Sequence, residues 1–274
     1  MFRQAIRSLT RGYGYRRADM AVIIKSRQDI QAMREASKIN MEALYAMRDA
    51  VRPGVTTAEL DRIAAAVIAR YGATAPFLGY PPGSRHPFPA SVCTSVNEEL
   101  VHGIPGPRVL KEGDIISLDC GTFYKGFVSD AALTVAVGQV SPQVQRLIEV
   151  TERALYIGIE QSVAGNRVGD ISSAIQTYVE SHGFNVPREY GGHGVGRTMH
   201  EDPHIPNWGK PGVGFKLRPG MTFALEPMVM MGGPATKVLE DHWTVVTADG
   251  SLCAHFEHTI AVTENGPEIL TKFD

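Results

Sequence analysis

The 274-residue chain has few cysteines, no long apolar run and no surplus of either charge. Its three cysteines, Cys93, Cys120 and Cys253, lie far apart and make no CxxC pair. So sparse and odd a count leaves no disulfide framework and suits free thiols in a reducing compartment. No stretch approaches the roughly 18 consecutive apolar residues that a membrane-spanning helix needs. With 27 basic and 29 acidic residues the formal net charge is -2, so no whole-molecule field points to nucleic acid or a membrane as partner. A charged fraction of only 20% argues against disorder, and 43% hydrophobic residues suffice for a large core.

The first 19 residues differ from the rest. Arg3, Arg7, Arg11, Arg16 and Arg17 accompany Ser8 and Thr10, with no acid before Asp19. Such a stretch reads as a flexible basic leader or arm, as an upstream start with Met20 the natural one, or as an organelle transit peptide. The fold is therefore sought in residues 20–274, taken as a single domain.

That region repeats itself. Gly54-Val-Thr-Thr-Ala-Glu59-Leu60 returns as Gly165-Asn-Arg-Val-Gly-Asp170-Ile171, and Lys111-Glu-Gly113-Asp-Ile-Ile-Ser-Leu-Asp119 returns as Arg218-Pro-Gly220-Met-Thr-Phe-Ala-Leu-Glu226. Capping signals at Ser26, Thr56 and Ser141-Pro142 start helices. The spacing predicts helices over 27–50, 57–71, 142–163 and 168–182. Strands are expected over 90–96, 114–123, 127–137, 221–231, 243–248 and 253–263. Helix pairs followed by antiparallel strands, twice over, indicate an α+β fold of two pseudo-symmetric halves.

Strand alternation puts Ile116, Leu118 and Cys120 on one face and Ser117 and Asp119 on the other; the repeat does the same with Phe223 and Leu225 against Ala224 and Glu226. A hairpin centred between Tyr124 and Lys125 would set Asp119 directly opposite Asp130, and Glu257 is a fourth acid in mid-strand. A lone strand acid usually marks a solvated edge. Four brought together by symmetry repel unless a proton, an arginine or a metal intervenes. Carboxylates with a histidine suit hard or borderline divalent ions, and bridging carboxylates hold two of them roughly 3.5–4 Å apart in hydrolytic centres. Among nine histidines, His193 stands between glycines in Tyr190-Gly-Gly-His-Gly-Val-Gly196, a setting that favours a site. His200 follows seven residues later in Met199-His-Glu-Asp-Pro203 and His102 sits just before a turn; each alone reads as a hydrogen-bonded loop histidine. His86, His182, His204, His242 and His255 read as ordinary hydrogen-bonded residues, and His258, on the face opposite Glu257, as core or as a support for the ligands.

Six stretches, in order, carry a family resemblance: Ser91 to Pro105, Ser117-Leu-Asp-Cys-Gly121, Gly126-Phe-Val-Ser-Asp130, Gly191 to Pro203, Gly220 to Met228 and Phe256-Glu-His-Thr-Ile260. Over residues 20–270 the chain resembles the type I methionine aminopeptidases. The resemblance implies the pita-bread (creatinase/aminopeptidase-like) fold and a hydrolase that removes the N-terminal methionine of nascent proteins when the second residue is small. It implies two divalent ions (Co, Mn, Fe or Zn) on Asp119, Asp130, His193, Glu226 and Glu257, with Asp130 and Glu257 bridging. His102 and His200 would contact substrate, and Glu226 would move a proton. Tyr80, Cys93 and Trp243, with Phe88 and Met199, would line the methionine pocket; by themselves the aromatics read equally as core. A cytoplasmic monomer working near the ribosome, without nucleic acid or membrane, is the implied setting.

The sequence departs from the pattern of similar enzymes in the longer segment Pro81 to Pro89, in Phe88 where a tyrosine is common, and in Met199 where an aromatic can occur. Only 25 residues separate His200 from Glu226 and 30 separate Glu226 from Glu257, which leaves no room for the helical insertion of type II enzymes. Two rivals remain: an X-Pro peptidase on the same scaffold, which usually carries a large extra N-terminal domain, and a non-catalytic pita-bread module, which would have lost metal ligands.

Overall fold

The computed structural model describes residues 22–272; the basic leader lies outside them. Helix α1 (Arg27–Ala50) starts at a capping box in which the Ser26 hydroxyl accepts from the Asp29 N–H and the Asp29 carboxylate accepts from the Ser26 N–H. Helix α2 (Thr57–Arg70) is capped by Thr56. Strands β1 (Val92–Val96), β2 (Glu99–Val101), β3 (Ile115–Tyr124) and β4 (Phe127–Ala136) follow. Then come α3 (Pro142–Gln161), capped by Ser141 ahead of the expected first-turn proline, and α4 (Val168–Ser181). The chain ends in short strands: β5 (Gly191–Gly194), β6 (Glu201–Pro206), β7 (Thr222–Leu225), β8 (Met228–Met230), β9 (Thr236–Val238), β10 (Val245–Thr247), β11 (Cys253–His255), β12 (Glu257–Thr263) and β13 (Gly266–Ile269).

The main antiparallel sheet runs β1-β3-β4-β12-β7-β5-β6, with β13 on β12. Helices cover one face. The buried stripe of α1, including Ile39, Leu44 and Met47, and residues of α2 join Ile116, Leu118 and Cys120 in one core cluster. Residues of α3 and α4 join Phe223, Leu225 and Ile260 in another, and Leu133 packs against both. The acids alternate with these core residues, so they face away from the helices.

The duplication reappears as hydrogen bonds. Gly113 N–H donates to Val137 and Gly220 N–H to Val262, each at 2.9 Å; Val137 N–H returns to Asp114 and Val262 N–H to Met221, each at 2.8 Å. Gly113 and Gly220 share φ near +88°, a left-handed turn that side chains resist. This is the pseudo-symmetric pita-bread arrangement.

Two expected strands are each broken. Residues 221–231 split at Glu226-Pro227 into β7 and β8, because proline supplies no N–H to a ladder. Residues 253–263 split at Phe256, where β11 turns to pair with β8 while β12 stays in the main sheet. The hairpin register also differs. Tyr124 pairs with Phe127, so the turn is Lys125-Gly126, both with positive φ (49° and 84°) as a two-residue hairpin requires. Asp119 therefore opposes Ala132, and Asp130 opposes Gly121. The shift is two residues, so both acids keep the same face.

Candidate metal centre

Asp119 on β3, Asp130 on β4, Glu257 on β12 and Glu226 just past β7 converge with His193 on β5. Ligand atoms of Asp130, His193 and Glu257 lie within 4.8 Å of one another. The His193 Nε2 is 3.8 Å from Asp130 Oδ2 and 3.7 Å from Glu226 Oε1. At the join of β4 and β12 the ladder gives way to a side chain: the Thr259 hydroxyl accepts from the Asp130 N–H and donates to the Asp130 carbonyl, fixing that residue's backbone.

These residues fit cations better than they fit each other. Burial, reinforced by Asp119 and Glu226, pushes the Asp130 carboxyl well above its ordinary range. Burial with the charges of Asp130, Glu226 and Asp119 does the same to Glu257. Asp119 and Glu226 are each raised to about 7, chiefly by burial. Asp119 Oδ1 and Asp130 Oδ1 are buried with no hydrogen-bond partner, a costly state for an anionic oxygen. His193 Nδ1 lies 2.9 Å from the Gly194 carbonyl, which can only accept, so the proton sits on Nδ1. With Nδ1 so engaged, Nε2 is the ring atom that faces the carboxylate oxygens, an arrangement that a cation between them stabilises.

Two histidines of the cleft are shifted the other way. Burial lowers His102 to about 4, helped by His255 and His193. Burial of the ring, with His193 and His102, holds His200 well below its ordinary value although the residue as a whole keeps solvent exposure. The His200 Nδ1 is 2.7 Å from the Tyr80 hydroxyl, and its ring lies 4.2 Å from that of His193, tilted by 47°.

His255, read from the sequence as ordinary, is a correction. It is 2% exposed, and its Nε2, otherwise unpartnered, stands 3.4 Å from Glu226 Oε2. Thr134 clips its backbone above the carboxylate face: Thr134 Oγ1 donates to the His255 carbonyl and accepts from its N–H. Alternation from Glu257 was the available signal, since residues 255 and 257 share parity. His258 packs on the helix face, 6.1 Å from the Tyr156 ring, as its parity implied. His86 and His242 meet at the surface, His182 closes α4 and His204 lies on β6.

Beside the carboxylates, Phe88, Cys93 and Trp243 form one apolar cluster, and Met199 and Tyr80 belong to a neighbouring one. Phe77, which nothing in the sequence marked, packs against both. The long 81–89 segment returns on itself: Gly79 N–H donates to Phe88 O, Phe88 N–H to Tyr80 O, and Trp243 Nε1 to His86 O. It delivers Phe88 edge-on to Trp243 at 5.2 Å. Burial and the charges of Asp119 and Asp130 keep the Cys93 thiol protonated.

Residues 31–264 match the model of metallopeptidase family M24. The chain belongs to that family. Among curated M24 relatives, a methionine aminopeptidase of Clostridium perfringens is 52% identical over 91% of this chain and 98% of its own length. Methionine aminopeptidase 1 of Bacillus subtilis is 51% identical over 92% and 99%. The crystal structure of a methionine aminopeptidase from Thermotoga maritima superposes with a TM-score of 0.89 at 46% identity, covering 92% of this chain and all of that one. An Xaa-Pro dipeptidase from Bacillus anthracis reaches 0.72 at 25% identity, and the match spans only 63% of that longer chain. Within M24 the chain thus falls among the methionine aminopeptidases, hydrolases of the metallopeptidase class.

Proposed function

We propose that this protein hydrolyses the N-terminal methionine from new polypeptides whose second residue is small, at a centre of two divalent ions. The convergence of four strand-borne carboxylates with His193 carries this reading. Asp119, Asp130, His193, Glu226 and Glu257 would hold the ions, with Asp130 and Glu257 shared between them. Two such ions, of Co, Mn, Fe or Zn, would lower the pKa of an attacking water toward ~7 and polarise the scissile carbonyl.

The protein's own groups do the rest. In this reading the Tyr80 hydroxyl, 2.7 Å from His200 Nδ1, donates to it and leaves the ring proton on Nε2 for the carbonyl oxygen as charge develops there. A neutral ring suits this task, and the crowding around His200 keeps it neutral. His102 faces Tyr190 and Trp243 and positions the substrate backbone. Glu226, beside His255, takes a proton from the attacking water and passes it to the leaving amine. Tyr80, Phe88, Cys93, Met199 and Trp243 receive the methionine side chain; aromatic faces and a soft sulfur suit a thioether. Residues 20–274 act as one catalytic domain, a cytoplasmic monomer near the ribosome whose partner is the nascent chain.

The decisive experiment is cleavage of Met-Ala-Ser with and without a chelator, against an X-Pro peptide. Chelator-sensitive release of methionine supports the reading. Preference for the X-Pro peptide replaces it with a dipeptidase, and metal-free protein active on neither is a binding module.

A further inference from the structure

We propose that Lys25, which lies outside the carboxylate cluster, is a positioning residue: through Glu201 it fixes the loop that presents Met199 and His200. The inference rests on the reading above, in which His200 meets the substrate.

Lys25 belongs to the extended segment before α1, and its N–H donates to the Gly220 carbonyl at 2.7 Å, which stitches that segment to the turn ahead of β7. The side chains of Lys25 and Glu201 are only 2% and 4% exposed. Lys25 Nζ donates to Glu201 Oε2 and, at 3.1 Å, to the Ile23 carbonyl. The other oxygen, Glu201 Oε1, accepts from the Arg197 N–H at 2.8 Å and from the Thr198 N–H at 3.4 Å. One carboxylate thereby gathers the backbone of the β5–β6 loop onto a cation 176 residues away in sequence. The pair packs flush against that loop: a Cβ at Gly196 would lie 2.7 Å from Glu201 Oε1 and collide with Lys25 Cε.

What this loop carries makes the clamp more than a structural tie. Met199 is buried against the pocket, and His200 immediately precedes Glu201 in the chain. Arg197 adds a second tie to Asp29 at 3.0 Å, but its side chain is 62% exposed, where solvent screens an ion pair. The buried pair is therefore the stronger restraint on where His200 stands relative to His193. Removing one partner leaves the other buried and uncompensated. A catalytic group displaced by about 1 Å can lose on the order of a hundredfold in rate.

The test uses full-length Lys25→Met and the neutral pair Lys25→Met/Glu201→Gln, each alone and combined with His200→Ala. With His200 present, kcat on Met-Ala-Ser should fall at least tenfold, with bound metal and KM little changed. In the His200→Ala background the same substitutions should cost less than twofold, because the group they position is gone. Amide exchange at Arg197 and Thr198 should quicken tenfold or more, while β3 and β4 stay protected. An equal loss in both backgrounds, an unchanged kcat, or unchanged loop exchange overturns the proposal. If Lys25→Met alone does not fold, the neutral pair, which buries no lone charge, carries the test. Wild-type protein that fails to cleave Met-Ala-Ser sinks the functional reading instead, and loop exchange still decides the clamp.

Discussion

Asp119 and Glu257 share one register partner: Ala132 stands directly opposite Asp119 across β3–β4 and directly opposite Glu257 across β4–β12. A single methyl therefore separates two buried acids on one face of three adjacent strands. Cross-strand Cβ atoms are roughly 5 Å apart, so each carboxylate can lean over the alanine toward common ground. A larger residue there would fill the space that cations need. Ala132→Leu should lower bound metal to less than half of the wild-type content and cut activity at least tenfold, read by elemental analysis of dialysed protein and by methionine release. Overpacking should cost the fold about 1–3 kcal/mol. Wild-type metal content in this variant would mean that the cations lie elsewhere.

Asp130 has its backbone held by Thr259 and one oxygen 3.8 Å from His193. If it is shared between two ions, its loss cannot be local to one of them. Asp130→Ala should abolish activity and reduce bound metal from two ions to one or none. The metal-free variant should be no less stable than metal-free wild type, since a buried, repelled carboxyl has been removed. Full activity would contradict the bridging role.

The four acids were legible in the sequence because parity survives a register error of two residues. Placing the hairpin centre wrongly still put Asp119 and Asp130 on one face, and the duplication added Glu226. His255 carried only its parity with Glu257 as a signal, and nothing in Cys253–His255 announces the bend at Phe256 where the chain leaves one sheet for another. Gly191–Gly194 carries no strand signal, since glycine weakens strands, yet it forms β5 between β6 and β7, whose backbones supply its partners. Phe77 sits after Pro76 in a segment with no period, so only packing reveals it. The Lys25–Glu201 pair joins residues too distant in sequence for any local pattern to couple them.

The metal-free protein should show an unusual dependence on pH. Asp119 and Glu226 are raised to about 7 from ordinary values of 3.8 and 4.5. For acids shifted upward, the unfolded chain ionises first. Stability from these two groups is full below about pH 4, falls as pH rises toward 7, and levels off above it. Metal binding displaces the protons and reverses the penalty. The rise in Tm on adding metal should therefore grow between pH 5 and 7.5. In a chain of this size each kcal/mol corresponds to roughly 2–4 °C. A gain that stays flat over that interval, corrected for saturation of the site, would mean that the carboxylates were already ionised without metal.

His200 tests whether substrate contact can be separated from metal binding. Its ring lies 4.2 Å from that of His193, but its Nδ1 is engaged by Tyr80 rather than by an acid. Removing it should leave the five candidate ligands in place while deleting a donor to the developing oxyanion, a loss on the order of a hundredfold or more in kcat. His200→Ala should therefore show near-normal metal content and a KM changed far less than kcat. Tyr80→Phe, which removes the hydroxyl that orients the ring, should show a smaller loss in the same direction, and no further loss when combined with His200→Ala. If His200→Ala instead releases metal, the residue is a ligand and the division between metal-binding and substrate-binding histidines must be redrawn.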